Sequence, residues 1–84
     1  ISFSVALGPL ATREEARQIA GLIKGDFEPL RVVRVRSGFM LYAGAAGASR
    51  DALGIKIRLA EEFGLNGRVV RMVNDSERTY IYGD

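Results

Sequence analysis

The chain writes one strand-helix-strand unit twice. Val5-Ala6-Leu7-Gly8-Pro9-Leu10-Ala11-Thr12-Arg13-Glu14-Glu15-Ala16 reads as a strand, a Gly-Pro corner and a capped helix start. A weaker copy stands at Leu41-Tyr42-Ala43-Gly44-Ala45-Ala46-Gly47-Ala48-Ser49-Arg50-Asp51-Ala52. Each is followed by a near-identical basic strand, Arg31-Val32-Val33-Arg34-Val35 and Arg68-Val69-Val70-Arg71-Met72. Both halves are therefore expected to take the same local structure. With 84 residues there is room for only one small core, so a single domain spanning residues 1–84 is expected.

Phe3, Val5 and Leu7 alternate with Ser4 and Ala6, the pattern of a half-buried strand. Gly8-Pro9 is expected to end it, because proline has no amide hydrogen for a ladder. Thr12 is a good N-cap, and Glu15 completes a capping box. Ala16, Ile19, Ala20 and Ile23 then form an apolar stripe at helical spacing. Gly25 is the expected stop, which predicts a first helix over about Arg13 to Lys24.

The second and third strands are expected at Arg31 to Val35 and Phe39 to Ala43. A two-residue turn at Ser37-Gly38 sets Arg36 opposite Phe39. A three-residue loop, with Gly38 supplying a positive φ, sets Val35 there instead. The second register is preferred, because it keeps Val33, Val35, Phe39, Leu41 and Ala43 on one face.

Gly44 to Ala48 reads as a small-residue loop and Ser49 as the cap of a second helix. Ala52, Ile55 and Leu59 are its expected buried stripe, widened by Leu53, Ile57 and Phe63. Gly54 is expected to mark a close helix contact, and Gly64 ends the helix. Asn66-Gly67 is a turn and Arg68 to Val73 a fourth strand. Thr79-Tyr80-Ile81-Tyr82 has the propensity for a fifth, edge strand.

This order predicts an α+β fold, a ferredoxin-like (split βαβ) antiparallel sheet with both helices on one face. Each helix then joins two parallel strands across an intervening one, as the right-handed crossover rule requires. The other face of the sheet is expected to be open.

No catalytic chemistry is expected. The chain has no Cys and no His, which removes the common nucleophiles, imidazole acid-base chemistry and the usual zinc sites. Glu14, Glu15, Asp51, Glu61 and Glu62 read as helix-stabilising carboxylates, with Arg58–Glu62 an i,i+4 pair. Gly44-Ala45-Ala46-Gly47-Ala48 has the strand-to-helix context of a phosphate loop but lacks the Walker lysine and the dinucleotide spacing. It reads instead as a corner for close helix-strand packing, and no cofactor is expected.

A net charge of +2 is too small to announce nucleic acid. No apolar run approaches the roughly 20 residues that cross a bilayer. The first residue is Ile rather than Met, which predicts a piece of a longer protein. Any export signal or membrane anchor is then expected in the missing part.

Under the preferred register, alternation sends Ser4, Ala6, Val32, Arg34, Met40, Tyr42, Val69, Arg71 and Val73 to the open face. Arg34 would lie beside Met40 and Val32 beside Tyr42. Apolar and aromatic platforms with arginines among them suit stacking on sugar rings or bases, with guanidinium forks as donors. The plainer reading is a solvated sheet face. Tyr80 and Tyr82 would extend the patch or pack at the sheet edge.

The first unit resembles the start of the SPOR (sporulation-related repeat) domain. That pattern runs roughly V-Q-x-G-x-F, a short polar step, then x-x-A at the helix start. Phe39-Met40-Leu41-Tyr42-Ala43-Gly44 with Ser49-Arg50-Asp51-Ala52 is similar to the family's second half, an aromatic-R-V-x-x-G strand followed by S/T-x-x-A. The resemblance covers about residues 3 to 73. The pattern's first-strand Gln, the aromatic after its Gly and its third-strand basic residue are Ala6, Leu10 and Met40 here.

The resemblance implies the fold already derived. It also implies binding of peptidoglycan, chiefly glycan strands stripped of stem peptides, on the sheet surface, and recruitment to the division septum. The glycan-contacting positions carried over are Ser4, Arg34, Met40, Tyr42 and Arg71.

The leading expectation is thus a non-catalytic peptidoglycan-binding domain in the bacterial periplasm or cell envelope. The alternative is a protein-interaction module of an envelope complex, working through the open face or the Thr79–Tyr82 edge. Single-stranded nucleic acid comes third and is not expected, since the third strand lacks the stacked aromatics of RNA-recognition domains. Arg34→Ala with Tyr42→Ala is expected to weaken binding and keep the fold.

Overall fold

The computed structural model describes residues 1–74 and 76–82, except for the side chains of 78–82. The order is β1 (Ser2–Leu10), α1 (Arg13–Ile23), β2 (Leu30–Val35), β3 (Gly38–Ala46), α2 (Ser49–Phe63), β4 (Arg68–Val73) and β5 (Ser76–Tyr82). One antiparallel sheet runs β2-β3-β1-β4-β5. β1 and β2 both pair with β3, and β3 and β4 both pair with β1, so each helix crosses over between parallel strands. This is the ferredoxin-like arrangement, and β5 extends it at one edge.

Local signals set most boundaries. The Thr12 Oγ1 accepts the Glu15 amide at 3.1 Å. Glu15 Oε1 accepts the amide of Ala11, not that of Thr12, at 3.2 Å, so the capping box closes one residue early. α2 begins a residue before the expected cap: Ala48 is the N-cap without a side-chain bond, and Ser49 is already helical. Gly64 ends α2 in the left-handed conformation, and its amide reaches the Ala60 carbonyl at 3.0 Å.

Two strands run further than expected, each through a bulge at a glycine. β1 continues past Gly8-Pro9, where its pairing with β3 shifts between Leu7 and Leu10. β4 leaves β1 after Ala6, so the proline costs no ladder bond on that side. β3 likewise continues through Gly44, which shifts the register between Val5 and Phe3 of β1. Gly44 has φ +78, and a Cβ there would stand 2.7 Å from Ile55 Cδ1. The expected close helix-strand approach is present, although the segment is bulged strand rather than loop.

The helix side of the sheet holds the larger core. Val5, Leu7, Leu41, Ala43 and Val69 meet Ala52 and Leu59 of α2 and Ile23 of α1. Ala16 and Ala52 are both fully buried at equivalent points of the two halves, where a helix starts down onto the sheet. Phe27, in the connection after α1, is also buried in this core and meets Phe63 edge-on at 5.9 Å. Ile57 is exposed, not part of the buried stripe. Gly54 faces open space, so it marks no close contact.

The hairpin register differs from both sequence alternatives. The turn is Arg36-Ser37, with Val35 opposite Gly38 and Arg34 opposite Phe39. Gly38 has the expected positive φ, +143, but as the first residue of β3; a Cβ there would collide with the Leu10 carbonyl. This register turns β2 over. Arg31, Val33 and Val35 lie on the face away from the helices, and Val32 and Arg34 on the helix side.

β4 is turned over as well. Val69 packs under the helices, while Val70 and Met72 belong to the second face. The expected open face is therefore not open: Ser4, Ala6, Met40, Tyr42, Val70 and Met72 are all buried there.

Candidate functional site

The five residues carried over from the resemblance do not form one surface. Ser4 is fully buried; its Oγ donates to the Gly44 carbonyl at 2.7 Å and accepts from Arg31 Nη2 at 3.1 Å. Met40 and Tyr42, only 6% and 4% exposed, pack with Ala6, Val70 and Met72. Arg34 is exposed but stands on the helix side, opposite Phe39. Arg71 is half-buried on that same side, opposite Phe3. Arg34 is thus separated from Met40 and Tyr42, and Tyr42→Ala would hollow a core. The Arg34→Ala/Tyr42→Ala pair cannot test binding with the fold kept.

Tyr42 shows how the second face is closed. Its hydroxyl donates to Glu77 Oε1 at 2.7 Å, and Glu77 Oε2 accepts from Arg68 Nη2 at 3.1 Å. Tyr42 is on β3 and Glu77 on β5, three strands away in the sheet. In a flat sheet that separation is about 14 Å, beyond what the two side chains bridge comfortably. The sheet therefore curls over its second face and brings β5 toward β3.

Burial, with the hydrogen bond and negative charge of Glu77, pushes the Tyr42 phenol well above its ordinary range. The Arg31 guanidinium lies 5.9 Å from the Tyr42 ring centroid. These groups form an internal polar line rather than an accessible platform. Tyr80 and Tyr82, expected to extend such a platform, have side chains outside the described residues.

The exposed counterpart lies at the β2–β3 turn. Arg13, the first residue of α1, sits over the Phe39 ring at 5.4 Å. Arg34 is directly across from Phe39 on the same face, where Cβ atoms of paired residues stand about 4.5–5.5 Å apart. Arg36, in the turn, is exposed. An aromatic side chain thus has a guanidinium group from a helix start over its ring and an edge-strand arginine paired across from it.

Sequence reading put Phe39 on the helix-facing side of the sheet and Arg13 at a helix start, and missed that the hairpin register brings Arg34 across from Phe39. The only early signal was Arg13 directly after the cap, at the corner where β1 ends.

Among the described residues, no group of three or more Asp or Glu is placed to hold a metal ion, and there is no deep pocket. No described helix is long and apolar enough to cross a membrane. The fold and surface define a ferredoxin-like α+β domain with a basic-aromatic corner at the β2–β3 turn. Comparisons with protein-family models, curated proteins and solved structures find no match to this chain.

Proposed function

We propose that this domain is a non-catalytic module that binds glycan strands of bacterial peptidoglycan and holds its parent protein in the periplasm or cell envelope. The observation that carries the reading is the Arg13–Phe39–Arg34 corner, where two exposed arginines flank a half-buried phenylalanine. An aromatic side chain suits the apolar face of a sugar ring, and guanidinium forks suit hydroxyls and carboxylates. Hydrolysing the amide that joins a stem peptide to the glycan leaves a carboxylate on the strand. Two arginines then favour the stripped form.

The resemblance of the two strand-helix units to SPOR domains supports the same ligand. Their shared small residues have structural duties here: Gly8 and Gly44 form bulges, and Ala16 and Ala52 seat the helices. Ligand contact therefore falls to the corner rather than to the second face.

The test is co-sedimentation with purified sacculi, intact and after an amidase has stripped the stem peptides. Pull-down is expected to rise on stripping and to fall at least tenfold in Arg13→Ala/Arg34→Ala. Both residues are exposed, so the variant should keep its fold. A folded wild-type sample that does not sediment overturns the glycan reading. Sedimentation untouched by the double substitution removes the corner as its site.

A protein partner is the second reading. It is favoured by the outer edge of β2, along which no described residue pairs.

A further inference from the structure

We infer that the outer edge of β2 takes up an acidic, extended segment of a partner protein as a sixth strand of the sheet. β2 is an end strand, and no described residue pairs along its outer side. The phase of its ladder is set at both ends. The two-residue turn makes Val35–Gly38 its closing pair. At the other end the Gly44 amide donates to the Pro29 carbonyl at 2.9 Å. Residues 29, 31, 33 and 35 therefore bond inward to β3. The amides and carbonyls of Leu30, Val32 and Arg34 point outward, a row of unpaired groups with the spacing of a strand.

The side chains make the edge receptive. Val32 and Val33 are 36% and 38% exposed, one on each face, and they can pack against alternate side chains of an added strand. Arg34 and Arg36 are exposed toward the turn end, with Arg13 beside them at the start of α1. Glu28 precedes the other end of the strand.

Charge selects the occupant. An acidic segment places carboxylates opposite Arg34 and Arg36. A second copy paired at this edge would bring the four guanidinium groups of Arg34 and Arg36 into one seam with only two Glu28 carboxylates. Like charges across a strand pair destabilise it. The same arginines that discourage self-association thus favour an acidic strand.

The probe is a seven-residue synthetic peptide alternating Glu with Val, compared with the same peptide carrying Lys for Glu. The acidic peptide is expected to bind and to slow hydrogen exchange at the amides of Leu30, Val32 and Arg34. The lysine peptide is expected to bind at least tenfold more weakly. Val32→Pro removes one outward amide without touching the β2–β3 ladder, and should weaken the acidic peptide at least tenfold. Arg34→Glu/Arg36→Glu provides a second variant, expected to reverse the preference between the peptides.

Val32 is outside the Arg13–Phe39–Arg34 corner. Val32→Pro should therefore leave sacculus sedimentation unchanged, and the two proposals can fail separately. Binding without amide protection, or binding indifferent to folded Val32→Pro, overturns strand addition. Equal binding of both peptides, no binding of either, or a concentration-dependent dimer that Val32→Pro abolishes overturns the acidic occupant.

Discussion

The two faces of the sheet are both buried, but by different means. On the helix side, amphipathic helices lay apolar stripes on Val5, Leu7, Leu41, Ala43 and Val69. On the second face, a smaller cluster of Ala6, Met40, Tyr42, Val70 and Met72 is bordered by polar links from Ser4 to Arg31 and from Tyr42 through Glu77 to Arg68. The first closure uses periodicity within single helices. The second depends on sheet curvature and on a contact between residues 35 apart in sequence. A face can therefore look like a ligand platform by alternation and still be interior.

The sharpest way to break this comparison uses neighbours on β3. Leu41 and Met40 point to opposite faces, and both are buried. Leu41→Ala and Met40→Ala are each expected to cost about 2–5 kcal/mol in urea unfolding. A Met40→Ala cost within the range of ordinary surface substitutions would show the second face to be open.

A smaller effect isolates the polar link. Glu77→Gln is expected to cost about 1–3 kcal/mol, because the acceptor is partly buried and serves both Tyr42 and Arg68. A double-mutant cycle with Tyr42→Phe should show non-additivity. Strict additivity would remove the Tyr42–Glu77 contact from the account.

Alkaline titration sharpens the same point. The folded pKa of Tyr42 lies above its ordinary value of 10.0, so the folded state holds the phenolic proton more tightly than the unfolded state. This contribution to stability is fully present below pH 10 and is lost as pH rises through 10 and beyond. The Tyr42→Phe variant should lose less stability over that window, measured by denaturation at stepped pH.

The smallest effect concerns the outer sides of the helices, which take no part in either closure. Gly21 and Gly54 are helical, and a Cβ at either meets nothing within 4 Å. Gly→Ala at each is expected to stabilise by roughly 1 kcal/mol, visible as a raised Tm. Destabilisation at Gly54 would instead indicate a contact on that surface.

Much of the fold was legible because its signals are local. Thr12 with Glu15, the Ala16–Ile23 stripe, Gly64 and the doubled basic strands each act over a few residues. Phe27 was not legible: a lone aromatic in a connection carries no period. The residues expected to share one face are divided between two. Arg34 remains exposed, but its neighbours are Phe39 and Arg13 rather than Met40 and Tyr42.

By itself, then, the sequence determined the order of elements, the two split βαβ halves and the helix faces, since caps, stripes and glycine stops are short-range physics. Only the tertiary structure decided which side of β2 and β4 faces the helices. Arg31-Val32-Val33-Arg34-Val35 and Arg68-Val69-Val70-Arg71-Met72 offer valines to both faces, so alternation is degenerate there. The close approach at Gly38 and the pairing of Val5 with Val69 set the registers. A one-residue choice in each then moved Arg34 and Arg71 to the opposite face from Ser4, Met40 and Tyr42.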